Sequence, residues 1–408
     1  MSINMKKIEN NGILITVLLL PYFKPACLEY IAPNVENAFN YLRIAAAFIS
    51  IILYVRSIVL KREKKAFIIW IAVWQLCMLF STYINGKELK ASIVNVVTML
   101  SFCMLTDTCI RKNARVFLSS LFYLLFALVI INFIVILLYP DGVATVDYYY
   151  YPMNFINIDN LLSPTLILSM VVSVIYIWYE GKKVLPYLLM TVCVTTTIMM
   201  WSATGVVGMF CFIALAVWSF CRFSRIVISS LWVYLGVAIM NILVVSFESW
   251  NLFAIFIRDF LGKDTDLSGR TVMWSQAIKM IQNNFLIGYG ADAIGHGYVF
   301  WRNRFYYTHN GILEILIQGG IISLLPFLAM VILTGTTLYR FRFHKISWIL
   351  LAGIFANLVT LLTEAFITQM PLYALFVMAA DIENLDQIQS CESKRKRIKI
   401  LMPAFHVR

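Results

Sequence analysis

The chain has 408 residues, 61% of them apolar, with 33 Lys/Arg against 21 Asp/Glu and a formal charge of +12. Charged residues fill only 13% of positions, roughly half the ~25% of an ordinary soluble domain, which excludes a soluble enzyme. The basic excess sits in short clusters between apolar runs, so it is a topology signal rather than a nucleic-acid footprint, and no nucleic-acid partner is expected.

In chain order, Lys6-Lys7 followed by the apolar run from Gly12 to Leu20 has the flanks of a signal peptide but no small-x-small cleavage site, and is read as an uncleaved first anchor. A span needs about 20 apolar residues to cross a hydrocarbon core of about 30 Å. Twelve stretches qualify: 12–28, 41–60, 66–84, 91–110, 116–139, 161–179, 184–200, 205–221, 226–247, 310–338, 346–366 and 368–384. The expected fold is therefore an all-α polytopic membrane protein, one membrane domain over residues 1–408. Lys6/Lys7, Lys61 to Lys65, Arg111-Lys112/Arg115, Lys182-Lys183, Arg222/Arg225, Arg340/Arg342/Lys345 and Lys394 to Lys399 fall on one side of this zigzag. Short loops on the other side hold Lys24, Arg43, Lys87 and Lys90. By the positive-inside rule both termini are cytoplasmic, with 385–408 a basic cytoplasmic tail. Cys77, Cys103, Cys193 and Cys211 lie inside apolar runs and no CxxC pair occurs, so neither a disulfide framework nor a metal site is expected.

Two outer segments are too long for tight connections. Residues 140–160 carry the run Tyr148-Tyr149-Tyr150-Tyr151, read as an interfacial aromatic belt in preference to a sugar platform. Residues 248–309 contain Trp250, Phe253, Phe256, Phe260, Trp274, Phe285, Phe300, Trp301 and Phe305, too much apolar surface for a disordered segment, and should fold against the membrane face. Within it, Val272, Met273, Ala277, Met280 and Ile281 recur at helical spacing from Thr271 to Asn284, which predicts an amphipathic helix at the interface. Gly288-x-Gly290 lacks the preceding strand and third glycine of a dinucleotide fingerprint and reads as a turn.

Ionisable residues near a bilayer midplane are costly and functional by default, yet here the midplane is almost empty. Asp107, Arg56 and Glu180 fall near cytoplasmic ends, Arg43 and Glu364 near outer ends, and Glu314 one turn inside the outer face. The polar groups gather outside: Arg43, Arg258, Arg270, Arg302, Arg304, His309, Asn310 and Glu314. In the long loop Arg258, Lys263, Arg270, Lys279, Arg302 and Arg304 stand against Glu248, Asp259, Asp264, Asp266 and Asp292, so the mean field is weak and an anion would be held by individually placed guanidinium groups. The planar arginine fork matches phosphate oxygens bidentately. An unperturbed imidazole, pKa about 6.5, accepts a proton at neutral pH. Arginines beside a histidine at a membrane surface suit cleavage of a lipid diphosphate with activation of a hydroxyl. Plainer readings stand beside this one: Arg302 and Arg304 as solvated loop residues, Arg43 snorkelling from its span, His309-Asn310 as a helix N-cap, Glu314 as a polar helix end, and His296 and His344 as structural.

Gly269-Arg270-x-x-x-Trp274-x-x-Ala277, Asn284-x-Leu286-x-Gly288-x-Gly290 and His309-Asn310-x-x-Leu313 followed by Gly319-Gly320 resemble, in order, spacing and position within a long outer loop after nine spans, the O-antigen ligase and O-antigen polymerase family. The motifs cover about residues 190–335. The resemblance implies a metal-independent membrane glycosyltransferase of the bacterial plasma (inner) membrane, with a mostly helical, GT-C-like fold and no cofactor, acting on sugars carried by undecaprenyl diphosphate. By position His309 matches the family's proposed base and Arg270 the arginine thought to hold the diphosphate. Family members often carry Ser-x-Ser/Thr-Arg at the outer end of an earlier span. Here Ser202-Ala203-Thr204 is followed by Gly205, so Arg43, Arg302 or Arg304 would have to supply that guanidinium.

The expected reaction is then attack of an acceptor sugar hydroxyl, deprotonated by His309, on the anomeric carbon of a lipid-linked chain with inversion. Arg270, Arg43, Arg302 and Arg304 would stabilise the departing diphosphate, and Asn310 and Glu314 would orient the imidazole or a sugar hydroxyl. Loop 248–309 would carry the active site. A polymerase of lipid-linked repeat units, making capsule or O-antigen, is the first reading. A ligase passing a finished glycan to another acceptor is the second, and a flippase for lipid-linked sugars the third. Membrane lipid and the flippase and chain-length regulator of the same pathway are candidate partners.

Overall fold

A computed structural model of the chain describes residues 11–61, 66–146, 151–220, 229–246, 269–292, 297–301 and 304–385. Helix α1 (Gly12–Leu19) continues as a 3-10 turn (Leu20–Phe23), and α2 (Leu28–Ile31) leads into α3 (Pro33–Lys61), α4 (Ala66–Ile84) and α5 (Leu89–Leu138). A hairpin of β1 (Ala144–Val146) and β2 (Tyr151–Met153) precedes α6 (Asp159–Glu180), α7 (Val184–Met200), α8 (Ala203–Phe220) and α9 (Ser230–Ser246). Then come α10 (Arg270–Asn283), a second hairpin of β3 (Val299–Trp301) and β4 (Arg304–Tyr306), and α11 (Gly311–Arg340), α12 (Lys345–Thr360) and α13 (Met370–Ala380).

Each of the twelve apolar stretches includes helix among its described residues. Among the described residues α3, α4, α5, α6 and α11 are long and apolar enough to cross a membrane, and six shorter apolar helices accompany them. The protein is a multi-pass membrane protein. Stretches 91–110 and 116–139 belong to the single 50-residue element α5, broken at Asn113 (φ −154°, ψ 80°). A straight helix of that length would measure about 75 Å, so the break is obligatory. Gly12 accepts from Ser120 Oγ (2.9 Å) while Tyr22 donates to Ser101 Oγ (3.0 Å). The first helix thus lies along both halves of α5, which double back on each other. The all-helical expectation needs one correction: the loops hold two short antiparallel hairpins, in which exposed aromatic residues such as Phe300 and Phe305 pack edge to face at 5.3 Å across the strands.

Charge divides between the two ends of the bundle. At one end Arg111 bridges Asp107 (3.0 Å) and Asp381 (2.6 Å), and Arg115 meets Glu180 (2.6 Å), tying the α5 break to the ends of α6 and α13. At the other end lie both hairpins, α10 and the Lys24–Glu36 pair (2.6 Å). Between them Trp74 packs against Phe327 and Tyr373, joining α4, α11 and α13. Gly208 lets α8 approach α12 closely, since a Cβ there would lie 2.5 Å from Thr360.

Helix α11 is itself broken, at Gly320 (φ 62°, ψ −167°). An unwound turn in a membrane helix frees backbone groups that must find partners in protein. The Gly288-x-Gly290 turn supplies them: Tyr289 and Gly290 donate to Ile317 O (2.7 Å) and Gln318 O (2.9 Å), while Ile321 donates to Phe285 O (2.9 Å). Ser81 Oγ of α4 also donates to Ile287 O and Gln318 O. A Cβ at Gly320 would stand 2.2 Å from Leu286 O and one at Gly288 2.5 Å from Ile317 O. The glycine turn is thus a plug in the break of α11, and it fixes where the preceding helix α10 sits.

Candidate active site

The turn into α11 places the histidine. Asn310 caps the helix, its Oδ1 accepting from the amides of Ile312 (3.1 Å) and Leu313 (3.0 Å) while its Nδ2 donates to Leu362 O (3.0 Å) at the unwound end of α12. On the other flank Glu314 Oε2 accepts from Thr308 N (2.9 Å) and Thr308 Oγ1 (2.8 Å), and Gln318 Nε2 closes the other oxygen at 2.7 Å. Between these clamps His309 is held at φ 48°, in the left-handed region. For a non-glycine residue that conformation costs about 1–3 kcal/mol and persists only where the surroundings impose it. Here it aims the imidazole across to the segment after α12.

There the ring meets Glu364, the residue that sequence reasoning left out of the site. Glu364 Oε2 lies 3.0 Å from His309 Nδ1, and Glu364 Oε1 accepts from Arg270 Nη2 (2.5 Å) and Asn160 Nδ2 (2.8 Å). The carboxylate is only 5% exposed. Burial alone would raise its pKa, but His309 and Arg270 together hold it below the usual carboxylate range. An ionised carboxylate accepts only, so the hydrogen between it and the imidazole sits on Nδ1 and the lone pair of the neutral ring is on Nε2. Predicted span 346–366 ends as helix at Thr360, and the irregular turn that follows is what brings Glu364 to the ring. The signal available in the sequence was a carboxylate at the end of an apolar run, costly wherever it is buried.

Arg270 opens α10 behind Gly269, whose φ of 86° and whose missing side chain are both required: a Cβ would fall 2.4 Å from the Trp301 ring. The helix is pinned to the turn before α11 by Trp274 Nε1 to Thr308 O (2.9 Å) and to the second hairpin by a two-way bond between the Gln276 amide and the Phe300 backbone. Its buried face, Met273, Trp274, Ala277 and Ile281, packs on Val299, Leu313 and Ile317. The amphipathic helix therefore covers protein rather than lipid on that face, and Val272, expected on the apolar side, is 47% exposed.

The Ser202-Ala203-Thr204-Gly205 turn forms a second layer. Ser202 Oγ accepts from Gly205 N (3.2 Å), capping α8, and donates to Asn160 Oδ1, which turns the Asn160 amide toward Glu364. Thr204 Oγ1 meets Thr363 Oγ1 at 3.0 Å. A Cβ at Gly205 would lie 2.8 Å from Ser163 Oγ, so this turn packs closely against α6.

Arg270, His309, Glu364, Ser202, Thr204 and Thr363 line a cavity of about 1610 Å³, together with Lys24, Arg43, Asp159, Asn160, Glu314 and Gln318. Arg43 donates to Asn40 Oδ1 (3.1 Å) and makes no ion pair among the described residues, whereas Lys24 is neutralised by Glu36 and Arg270 is shared with Glu364. The structure thus brings Arg270, His309 and Glu364 into direct contact and lines the same cavity with Arg43. Glu314 fastens Thr308 and Gln318, and Asn310 caps α11; neither bonds the imidazole. Arg258, Arg302, His296 and the Tyr148 to Tyr150 run lie outside the described residues, as do the tail from 386 on and residues 247–268 of the long loop, and Arg304 is placed only as backbone in β4. Among the described residues no three His, Cys, Asp or Glu side chains converge as a metal site.

Residues 185–328 match the family described as O-antigen ligase. That span runs from α7 through the broken part of α11 and includes Arg270, the glycine plug and His309, while Glu364 lies beyond it. No curated protein matches the chain.

Proposed function

We propose that this membrane protein, carrying an O-antigen ligase family domain, is a GT-C-like glycosyltransferase that joins undecaprenyl-diphosphate-linked oligosaccharide repeat units into a surface polysaccharide. The observation that carries the reading is the Glu364 bridge, which holds a histidine with its free nitrogen on Nε2 beside a guanidinium group at the wall of one large cavity.

His309 Nε2 takes the proton of an acceptor sugar hydroxyl as that oxygen attacks the anomeric carbon of the donor glycan. The bond from that carbon to the diphosphate oxygen breaks, its electron pair leaves with the diphosphate, and the configuration inverts. Arg270 spends one N–H on Glu364 and keeps others for the leaving group. Arg43, Arg302 and Arg304 supply further positive charge where it develops. Glu364 stabilises the imidazolium that forms and fixes its tautomer, and the proton then passes to solvent or to the released diphosphate. Positive charge delivered by arginines fills the role that a metal ion fills elsewhere, so the reading is metal-independent and needs no cofactor.

The end of the bundle that holds the site faces outward and the Arg111 end faces the cytoplasm, along with both termini; this rests on the basic clusters at the latter end. Purified protein incubated with lipid-diphosphate repeat units should yield a ladder of longer glycans. A single transfer to a foreign acceptor without a ladder identifies the ligase reaction. Passage across a vesicle membrane without glycosidic bond formation identifies a flippase.

A further inference from the structure

The partners of Glu364 come from three distant parts of the chain: Arg270 from the start of α10, His309 from the turn into α11, and Asn160 from the first turn of α6. The first two act on substrate in the proposed reaction, and Asn160 does not. Asn160 and Glu364 both lie outside residues 185–328, so their contact is not part of the matched domain.

The Asn160 amide is fixed at both ends. Its Nδ2 donates to Glu364 Oε1 (2.8 Å), and its Oδ1 accepts from the hydroxyl of Ser202, whose oxygen accepts in turn from Gly205 N (3.2 Å). The direction of this chain is forced. An ionised carboxylate only accepts, so Asn160 must present its NH2 to it, and the amide oxygen left over takes the Ser202 hydroxyl as its donor. The backbone keeps the line in register. Asn160 N donates to Asp159 Oδ1 (2.7 Å) at the start of α6, Ser202 is buried at the start of α8, and Gly205 lets α8 seat closely on α6 beside Ser163.

The consequence falls on Arg270. A guanidinium and a carboxylate frequently close as a bidentate pair, with two parallel N–H···O bonds that use both oxygens. Here Arg270 Nη2 donates to Oε1 (2.5 Å), while Oε2 lies 3.0 Å from His309 Nδ1. Asn160 takes up the remaining acceptor capacity of Oε1, which keeps the carboxylate turned with its other oxygen toward the ring. Without that bond the carboxylate can rotate and give both oxygens to the guanidinium. Two things would then be lost together: the acceptor that keeps the imidazole hydrogen on Nδ1, and the N–H groups that Arg270 holds ready for an anion in the cavity.

We propose that Asn160, held by Ser202, is a positioning residue that keeps Glu364 divided between Arg270 and His309 and so prevents a closed Arg270–Glu364 pair. Its effect reaches the reaction through Glu364. This deepens the functional reading and rests on it for the reaction that the residue serves.

N160L keeps the branched shape of the side chain and removes its polar atoms. With purified protein and lipid-diphosphate repeat units, kcat should fall at least tenfold and KM should rise at least threefold, at a normal unfolding temperature. Imidazole ¹⁵N NMR, with the His309 signals identified by their loss in His309→Ala, reads the tautomer directly. Wild type should show Nδ1–H, and N160L a mixture of both tautomers. N160D gives a second readout. When protonated, the new carboxyl donates to Oε1 as the amide does; when ionised, it repels Glu364 and attracts Arg270. Two carboxyls in contact share one proton, which raises one of the two pKa values, so kcat of N160D should acquire an alkaline limb, falling as pH rises, that wild type lacks. The other charged groups are the same in both proteins: Arg270 and His309 on Glu364, Asp159 beside position 160, Glu314 acting on His309 from α11, and Lys24 and Arg43 on the cavity wall.

A kcat of N160L within threefold of wild type overturns the proposal. So does a loss of activity that comes with a lower unfolding temperature and an unchanged His309 tautomer, which makes Asn160 a structural contact only, and so does an N160D profile parallel to that of wild type. If the His309 tautomer responds to N160L while wild-type protein transfers no glycan, the positioning stands and the glycosyltransferase reading fails.

Discussion

Replacing Glu364 by Gln keeps the shape of the side chain and removes one charge and one accepting oxygen. In the wild-type site one oxygen faces two donors, Arg270 and Asn160, and the other faces His309 Nδ1. The amide can keep its oxygen toward Arg270 and Asn160 only by turning its NH2 toward the imidazole. The reverse placement sets its hydrogens against both of those donors at once. The first arrangement wins, and it converts Nδ1 into an acceptor, which moves the ring hydrogen to Nε2 and blocks the nitrogen that must take a proton. General-base catalysis contributes about 10²- to 10⁴-fold, equivalent to about 2.7–5.4 kcal/mol of barrier, and kcat of E364Q should fall within that range. Loss of the carboxylate charge opposite Arg270 should lower stability by about 1.5–3 kcal/mol, the value of a hydrogen bond to a charged group. The pH dependence has a definite sign. A carboxyl held below its ordinary range in the folded protein contributes stability that is complete above the unfolded pKa of about 4.3 and disappears as pH falls through the folded value. Thermal unfolding of the wild type should therefore drop more steeply in acid than that of E364Q. Glycan extension by purified E364Q with kcat within threefold of wild type would falsify the assignment of Glu364 to the orientation of His309. A loss confined to KM would transfer Glu364 to substrate binding.

Arg270→Lys should lose at least tenfold in kcat/KM despite keeping the charge, since an ammonium group cannot span Glu364 and a diphosphate as a guanidinium fork can; unchanged turnover at normal expression removes Arg270 from the leaving-group site. His309→Ala should insert and purify normally but show about 10²- to 10⁴-fold lower glycan extension. Asn310→Ala should chiefly cost about 0.5–2 kcal/mol of stability through loss of the cap, read by thermal unfolding, and reversal of these two phenotypes would make Asn310 the functional group of the pair. Gly320→Ala forces a Cβ against Leu286 O in a conformation that costs a non-glycine residue about 1–3 kcal/mol, so its unfolding temperature should fall and protease should cut earlier near the glycine plug; wild-type stability would mean that the plug is not needed. Cysteines introduced at the exposed positions Asp141 and Phe343 should label from outside and from inside intact cells respectively, and labelling of position 141 only after permeabilisation inverts the topology.

That the chain is a bundle of apolar helices was legible in its sequence, because a bilayer core leaves few choices: long apolar runs become helices, and five of the described helices are long and apolar enough to cross a membrane. The Gly288-x-Gly290 turn, the Gly269-Arg270 helix start and the Asn310 cap were legible for a similar reason, since they are local rules of backbone geometry that act within a few residues. Some departures were also local in cause. The break at Asn113 lets one helical element cover two of the apolar stretches, and the second hairpin forms where Phe300 and Phe305 face each other across the strands.

The partner of the histidine was not legible. Five residues after His309 stands Glu314, and by spacing alone it is the natural carboxylate for the ring; Glu364, 55 residues away, reads only as a charge at the end of a span. What decided between them was the left-handed turn at His309 and the early end of α12, which set the imidazole against Glu364 while Thr308 and Gln318 take up Glu314. A sequence fixes the local conformations open to each segment and the free energy of burying each side chain. Which distant groups meet is decided only when all the helices pack at once, because each contact depends on the positions of all the rest.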